Sequence, residues 1–261
     1  KKIILACNGF GGNPDLVKDY LPEMRDALYA GHVGNDGSAI QWGREVGAQL
    51  ADLGGYQGHG SWAVPQGALI SWALMMEGAI QINSLGERFH DETQGYSEAA
   101  VQVLAQPQGL AWNIFDEAIL KFAQDFPDFA QAQSVGAVHS FQQLEELANF
   151  VGCPVAKLAK TIESVHAGVD PQTGRIFKRS LSFPLHAIRV TGALFHTQGG
   201  LDIDANCRVL HTDGNTFPNL LAAGGAARGV SGNAVWGYLS GNGLLSAIAG
   251  GYIAAHSAAT G

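Results

Sequence analysis

A chain of 261 residues, 46% hydrophobic and 15% charged, is long enough to bury a substantial core in one or two domains. Its formal net charge of −8 is spread without a Lys/Arg-rich run, which argues against nucleic acid as a partner. The most apolar stretch, Leu244 to Ala255, is broken by Ser246, Gly250 and Gly251. It falls short of the roughly 18–20 residues a bilayer span needs and reads as a buried helix.

The start, Lys1-Lys2-Ile3-Ile4-Leu5-Ala6, has a strand's composition and no initiating Met, and the true N-terminus is expected to lie elsewhere. Ile3 to Ala6 is read as a buried strand entering the turn Asn8-Gly9-Phe10-Gly11-Gly12. Asn13-Pro14 then carries cap and first-position signals for a helix. From Asn35 or Asp36, the spacing of Ile40, Val46, Leu50 and Leu53 predicts a second helix closed by Gly54-Gly55. Ala79 to Asn83 alternates as a strand, and Ser97 opens a helix to about Ala105.

Leu110 to Phe115 reads as a strand, and Ser140 with Gln143 as a capping box for a helix to Phe150. Pro154 at a first helical position opens the next, ending at Gly168. Strands are expected between Pro184 and Asp204, a buried strand over Asn219 to Ala223, and a last helix from about Gly241 to His256. The three cysteines, Cys7, Cys153 and Cys207, have no metal-site spacing and read as buried thiols. Asp202-x-Asp204-x-Asn206 begins like a calcium loop, but Cys207 replaces the needed glycine, and no metal is expected. Gly229-Val230-Ser231-Gly232 lacks the spacing of a hydrolase elbow.

Strands and helices in alternation point to an α/β fold. Each end carries a buried strand, a glycine turn and a helix, so residues 1–30 and 200–261 are expected to form one layered system with 31–199 inserted between them.

Four segments in order then resemble the fumarate reductase/succinate dehydrogenase flavoprotein family, to which ketosteroid dehydrogenases are related. Ile3-Ile4-Leu5-Ala6-Cys7-Asn8-Gly9-Phe10-Gly11-Gly12-Asn13 is similar to the family's VILATGGFGGN. Gly34-Asn35-Asp36-Gly37 with Gly43-Arg44-Glu45-Val46-Gly47-Ala48 looks like GDG…GxxxGA, and Gly86-Glu87-Arg88-Phe89-His90-Asp91-Glu92 like GxRFxNE. His196-Thr197-Gln198-Gly199-Gly200 through Asp204, Leu221-Ala222-Ala223-Gly224 and Ser240-Gly241-Asn242-Gly243 resemble HTxGG…D, LYAAGE and GGN.

The resemblance implies an α+β capping domain, 31–199, inserted in the remaining part of a Rossmann-like FAD-binding domain. It implies FAD as cofactor and a small-molecule substrate between the two. The G-x-G-x-x-G turn that meets the FAD pyrophosphate is not in this sequence. Either the chain is a piece of a longer polypeptide or that segment is a separate partner chain; a non-catalytic capping fragment that binds no FAD by itself is the reading from another class. The cofactor-side positions implied are Gly9, Gly11, Gly224, Gly225, Gly241, Asn242 and Gly243. The start of the last helix would stabilise negative charge on the flavin N1/C2=O edge. Gly225 stands where the family has a glutamate that contacts the ribityl chain; Arg228 is a substitute contact or a surface residue.

Family fumarate reductases bind carboxylates with two histidines and an arginine and deliver a proton from a second arginine. His59, in Gln57-Gly58-His59-Gly60, and His196 match the histidines. At the two arginine positions stand Tyr96 and Tyr238. A phenol is a neutral donor suited to a carbonyl or enolate, whereas guanidinium forks onto carboxylate. The expected activity is therefore CH–CH dehydrogenation or reduction beside a ketone, by hydride exchange with flavin N5. A dicarboxylate reductase recruiting Arg88, Arg179 or Arg189 is the alternative.

Overall fold

The computed structural model describes residues 1–260. Its strands are β1 (Ile3–Leu5), β2 (Leu28–Tyr29), β3 (Leu50–Ala51), β4 (Tyr56–Ala63), β5 (Ala68–Leu69), β6 (Ile80–Ile82), β7 (Leu110–Asp116), β8 (His139–Phe141), β9 (Leu185–Thr197), β10 (Gly200–Leu201), β11 (Arg208–Leu210) and β12 (Thr216–Ala222). The helices are α1 (Pro14–Tyr20), α2 (Ser38–Glu45), α3 (Ala73–Met76), α4 (Tyr96–Leu104), α5 (Glu117–Ala123), α6 (Pro127–Ser134), α7 (Leu144–Val151), α8 (Val155–His166) and α9 (Asn242–Thr260). This is the α/β composition read from the sequence. The chain divides into two compact units, Lys1–Gly58 with Leu194–Gly261, and His59–Ala193. It leaves the first unit inside β4 and returns inside β9.

In the first unit, β1 runs parallel to β12, with Ile3 opposite Leu220 and Leu5 opposite Ala222, and β11 pairs antiparallel on the other side of β12. The two-residue period of β12 sends alternate side chains to opposite faces. Leu220 and Ala222 join Ala39 of α2 and Leu201 of β10, whereas Leu221 and the following Ala223 join Cys207 and Ala254 of α9. Asn13 caps α1 by accepting from the amides of Asp15 and Leu16, as its position before Pro14 predicts.

Three readings of this unit are corrected. The second helix stops at Glu45, because Gly47 takes φ +80°, and Leu50 belongs to β3, paired with β10. β1 is not buried: it ends the sheet order and Ile3 is 57% exposed. Nor is α9. Ala247 and Gly250 approach Gly224 and Ala223, but Leu244, Ile248 and Tyr252 are 72, 73 and 75% exposed. Cys7, beside this edge, is exposed as well, so only Cys207 fits the expectation of a buried thiol. The calcium-like carboxylates are committed to arginines: Asp204 pairs with Arg208 at 2.7 Å and Asp202 with Arg228 at 3.4 Å.

The second unit is built on strands in the order β5-β4-β9-β7-β6, with β8 also on β9. β7 and β9 pair antiparallel from Leu110↔Thr191 to Asp116↔Leu185. Ile80, Ile82, Ile114 and Phe115 from these strands pack with Phe129, Leu147 and Leu158 from the helices. Each such side chain, fully buried, contributes about 1.5–3 kcal/mol. Ser140 lies in β8, not at a helix cap, and hydrogen-bonds His186 Nδ1 at 2.8 Å. α7 starts later, with the Gln143 amide donating to Glu146 Oε2 at 3.3 Å. Pro154 is the residue before α8 rather than its first.

The segment before α4 is held by a buried ionic network. Glu92 accepts from Arg88 Nε at 3.0 Å and from Arg175 Nη1 at 2.7 Å, and Arg88 also pairs with Asp170. Both guanidiniums lie 4.8 Å from the Phe177 ring centroid. A buried carboxylate survives only when paired and hydrogen-bonded in this way. Arg88 and Glu92 come from the GxRFxNE-like motif, and the segment they anchor delivers Tyr96 to the first position of α4.

Candidate active site

The first unit contains a cavity of about 550 Å³. Its floor comes from the turn after β12, at Ala223, Gly224 and Gly225, and one wall from the start of α9, at Gly243, Leu244 and Ala247. His196, Asn8 and Gln57 face it from the remaining sides. Glycines matter at two of these places. A Cβ on Gly225 would lie 2.2 Å from Asn8 Oδ1 and 2.9 Å from the Gly9 amide nitrogen; one on Gly243 would lie 2.6 Å from His196 Cε1. The chain thus passes under Asn8-Gly9, and the His196 ring sits on the α9 start, only because no side chain stands there.

His196 is half-buried, and desolvation holds its imidazole below the ordinary range against the opposing effect of the Thr197 carbonyl. Gln198 Nε2 lies 3.0 Å from Nδ1 and 3.2 Å from Nε2 of the ring and donates to whichever nitrogen is unprotonated, and Nδ1 lies 3.3 Å from Thr197 O. Gln198 Oε1 accepts from Ser231 at 3.3 Å, and Ser231 accepts from Asn242 Nδ2. This relay joins the first residue of α9 to His196. The Tyr238 ring meets His196 edge-on, with centroids 6.2 Å apart.

His59 and Tyr96 form a second pair, within the other unit. Their rings stack at 5.0 Å, and Trp72 closes the edge of His59 at 5.8 Å. The Ser61 amide donates to His59 Nδ1 at 3.1 Å, so the neutral ring carries its proton on Nε2. Burial pushes its pKa down to about 3. Gly60, where the resembling motif has proline, lets the strand cross α4, since a Cβ there would meet Ala99 at 2.7 Å.

Of the cofactor-side positions, Gly224, Gly225 and Gly243 line the cavity. Asn242 is buried behind it, and its Oδ1 has no hydrogen-bond partner among the described residues. Gly9 packs on Thr197 and Gly225, Gly11 packs on Tyr29, and Gly241 takes the left-handed φ of +84° that opens α9. Arg228 is engaged with Asp52 at 2.6 Å, which together with Asp202 raises its pKa. Reasoning from sequence did not single out Asn8, Gln57 or Gln198, although each lies inside a motif it used. Trp72 carried no signal, because its contact with His59 arises from folding alone.

The residues present suit the ring end of a flavin. The cavity has glycine walls, and the first-turn N–H groups of Gly243 and Leu244 precede any intrahelical acceptor.

The family described as FAD binding domain matches residues 1–244. The chain is 29% identical over 265 residues to a probable fumarate reductase, Ifc3, of Shewanella frigidimarina, covering 99% of this chain and 44% of that protein. The open conformation of a flavocytochrome c3 fumarate reductase superposes with a TM-score of 0.81 at 29% identity, over 99% of this chain and 46% of that one. The 3-ketosteroid-Δ4-(5α)-dehydrogenase of Rhodococcus jostii RHA1, solved with 4-androstene-3,17-dione, gives 0.69 at 25% identity, over 100% and 53%. The chain therefore spans about half the length of these relatives. Its motifs, its cavity and these likenesses agree: the chain belongs to the FAD-binding flavoprotein family of the fumarate reductases, and its cofactor is FAD.

Proposed function

We propose that this chain is the substrate-side part of an FAD-dependent oxidoreductase that acts on a carbon–carbon bond next to a ketone, in a cyclic enone or steroid-like molecule. In this reading the first unit is the remaining part of the FAD-binding domain and the second is the capping domain. FAD, when bound, supplies hydride transfer. The N–H groups of Gly243 and Leu244 face the charge that develops in the cavity. Tyr238 donates to the substrate oxygen or its neighbouring carbon, and His196, fixed by Gln198, orients that exchange. His59 and Tyr96 offer a second neutral pair of donors.

The observation that carries the substrate class is the neutrality of both pairs. His59 is held near pKa 3 and His196 below its ordinary value, and each stands beside a tyrosine. A dicarboxylate calls for fixed positive charge. Of the arginines that could supply it, Arg88 is engaged with Glu92 and Asp170 and Arg179 with Asp116 at 2.5 Å, while Arg189, which has no carboxylate partner among the described residues, lies at a separate cavity with Trp112. The dicarboxylate reading draws instead on the name of the Shewanella relative. The full-length flavoprotein decides between them when its flavin absorbance is followed with cyclic enones and with fumarate. Turnover of the enone is expected; turnover or tight binding of fumarate without any response to enones overturns the proposal.

A further inference from the structure

The second unit holds another cavity, of about 220 Å³, between the turn after β4 and the strands β7, β8 and β9. Pro65, Phe150 and the indole of Trp112 give it flat apolar walls, and His139 lies against Phe150 with ring centroids 4.5 Å apart. Arg189 stands directly opposite Trp112 in the β7–β9 register and reaches the same cavity. Its Nε donates to Val64 O at 3.2 Å, and among the described residues no carboxylate pairs with the guanidinium.

Trp112 is only 6% exposed, yet its indole Nε1 is buried with no hydrogen-bond partner among the described residues. A buried N–H without an acceptor is a standing cost, removed when an acceptor arrives. An indole donor and an unpaired guanidinium from facing strands call for an anionic acceptor, and the aromatic walls call for a planar body. The planar guanidinium fork matches a carboxylate, and the volume suits a single ring.

We propose that this cavity is a binding site for a small aromatic carboxylate, with the carboxylate held by Arg189 and the Trp112 N–H and the ring between Pro65 and Phe150. The site uses none of the residues assigned to the flavin reaction, so it stands or falls independently of that reading.

The test is a titration of the ¹⁵N-labelled chain with benzoate, following the indole N–H signal of Trp112, which is identified by its loss in Trp112→Phe. A saturable shift of that signal is expected. Arg189→Gln, an exposed substitution that leaves the fold intact, should weaken binding by about tenfold or more, as loss of a charged hydrogen bond does. Inorganic phosphate, which has no ring, should bind at least about tenfold more weakly. An indole signal that does not move, a shift unchanged in Arg189→Gln, or phosphate binding as well as benzoate would each overturn the proposal.

Discussion

The imidazole of His59 lies stacked on the phenol of Tyr96, with ring centroids 5.0 Å apart and planes 24° from parallel. Burial holds this histidine neutral down to about pH 3. NMR of the ring should therefore show no titration between about pH 5 and 8, where an ordinary histidine changes charge. In the unfolded chain the same group protonates at 6.5, so its contribution to stability is full above 6.5 and declines as the pH falls from there toward about 3. A midpoint near 6.5 in the folded protein would show that the ring is not enclosed.

Glu92 is predicted to be the most sensitive polar position of the second unit. Burial opposes its ionisation, but the hydrogen bond from Arg88 and the charges of Arg175 and Arg88 outweigh that, and its pKa is lowered. Glu92→Gln leaves two buried guanidiniums without their shared carboxylate, and should cost about 3 kcal/mol or more in urea denaturation followed by tryptophan fluorescence. The wild-type contribution is present above the ordinary 4.5 and lost as pH falls through the depressed value, so the gap between the two proteins should narrow in acid.

Gly243→Ala places a methyl group where the His196 ring lies. The ring must move, because the helix backbone beneath it cannot, and its bonds to Gln198 and Thr197 are lost. Far-UV circular dichroism should stay as in the wild type while kcat/KM of the full-length enzyme falls by about tenfold to a hundredfold, the usual result of displacing a group near the reacting atoms.

Tyr238→Phe removes a hydroxyl and little volume. If this tyrosine handles the substrate proton, kcat of the full-length enzyme should fall about 10²- to 10⁴-fold. Tyr96→Phe, made alongside, reports whether the second pair contributes. An unchanged kcat in both variants would return the two tyrosines to a packing role.

The sequence-level reading succeeded where local chemistry decides the outcome. Asn13-Pro14 caps α1, with the Asn13 side chain accepting from the amides of Asp15 and Leu16. It missed β4, since Tyr56-Gln57-Gly58-His59-Gly60 has none of the branched side chains that mark strands; that strand exists because its backbone pairs with β5 and β9. It read a helix through Leu50 because apolar spacing cannot register a glycine that turns the chain at positive φ. The relay from Asn242 through Ser231 and Gln198 to His196 joins residues far apart in sequence, so no spacing rule could find it. Arg88 and Glu92, by contrast, were visible as a motif, but their partners Arg175 and Asp170 were not.

The exposed side of α9 governs how this polypeptide behaves in a tube. Leu244, Ile248 and Tyr252 project from one helix with most of their apolar surface facing water, and such surface is adhesive. Salts that strengthen apolar burial should drive the isolated chain into association at low protein concentration. Ile248→Lys should raise the sulfate concentration needed for precipitation while leaving the melting temperature nearly unchanged, because that side chain supports nothing beneath it.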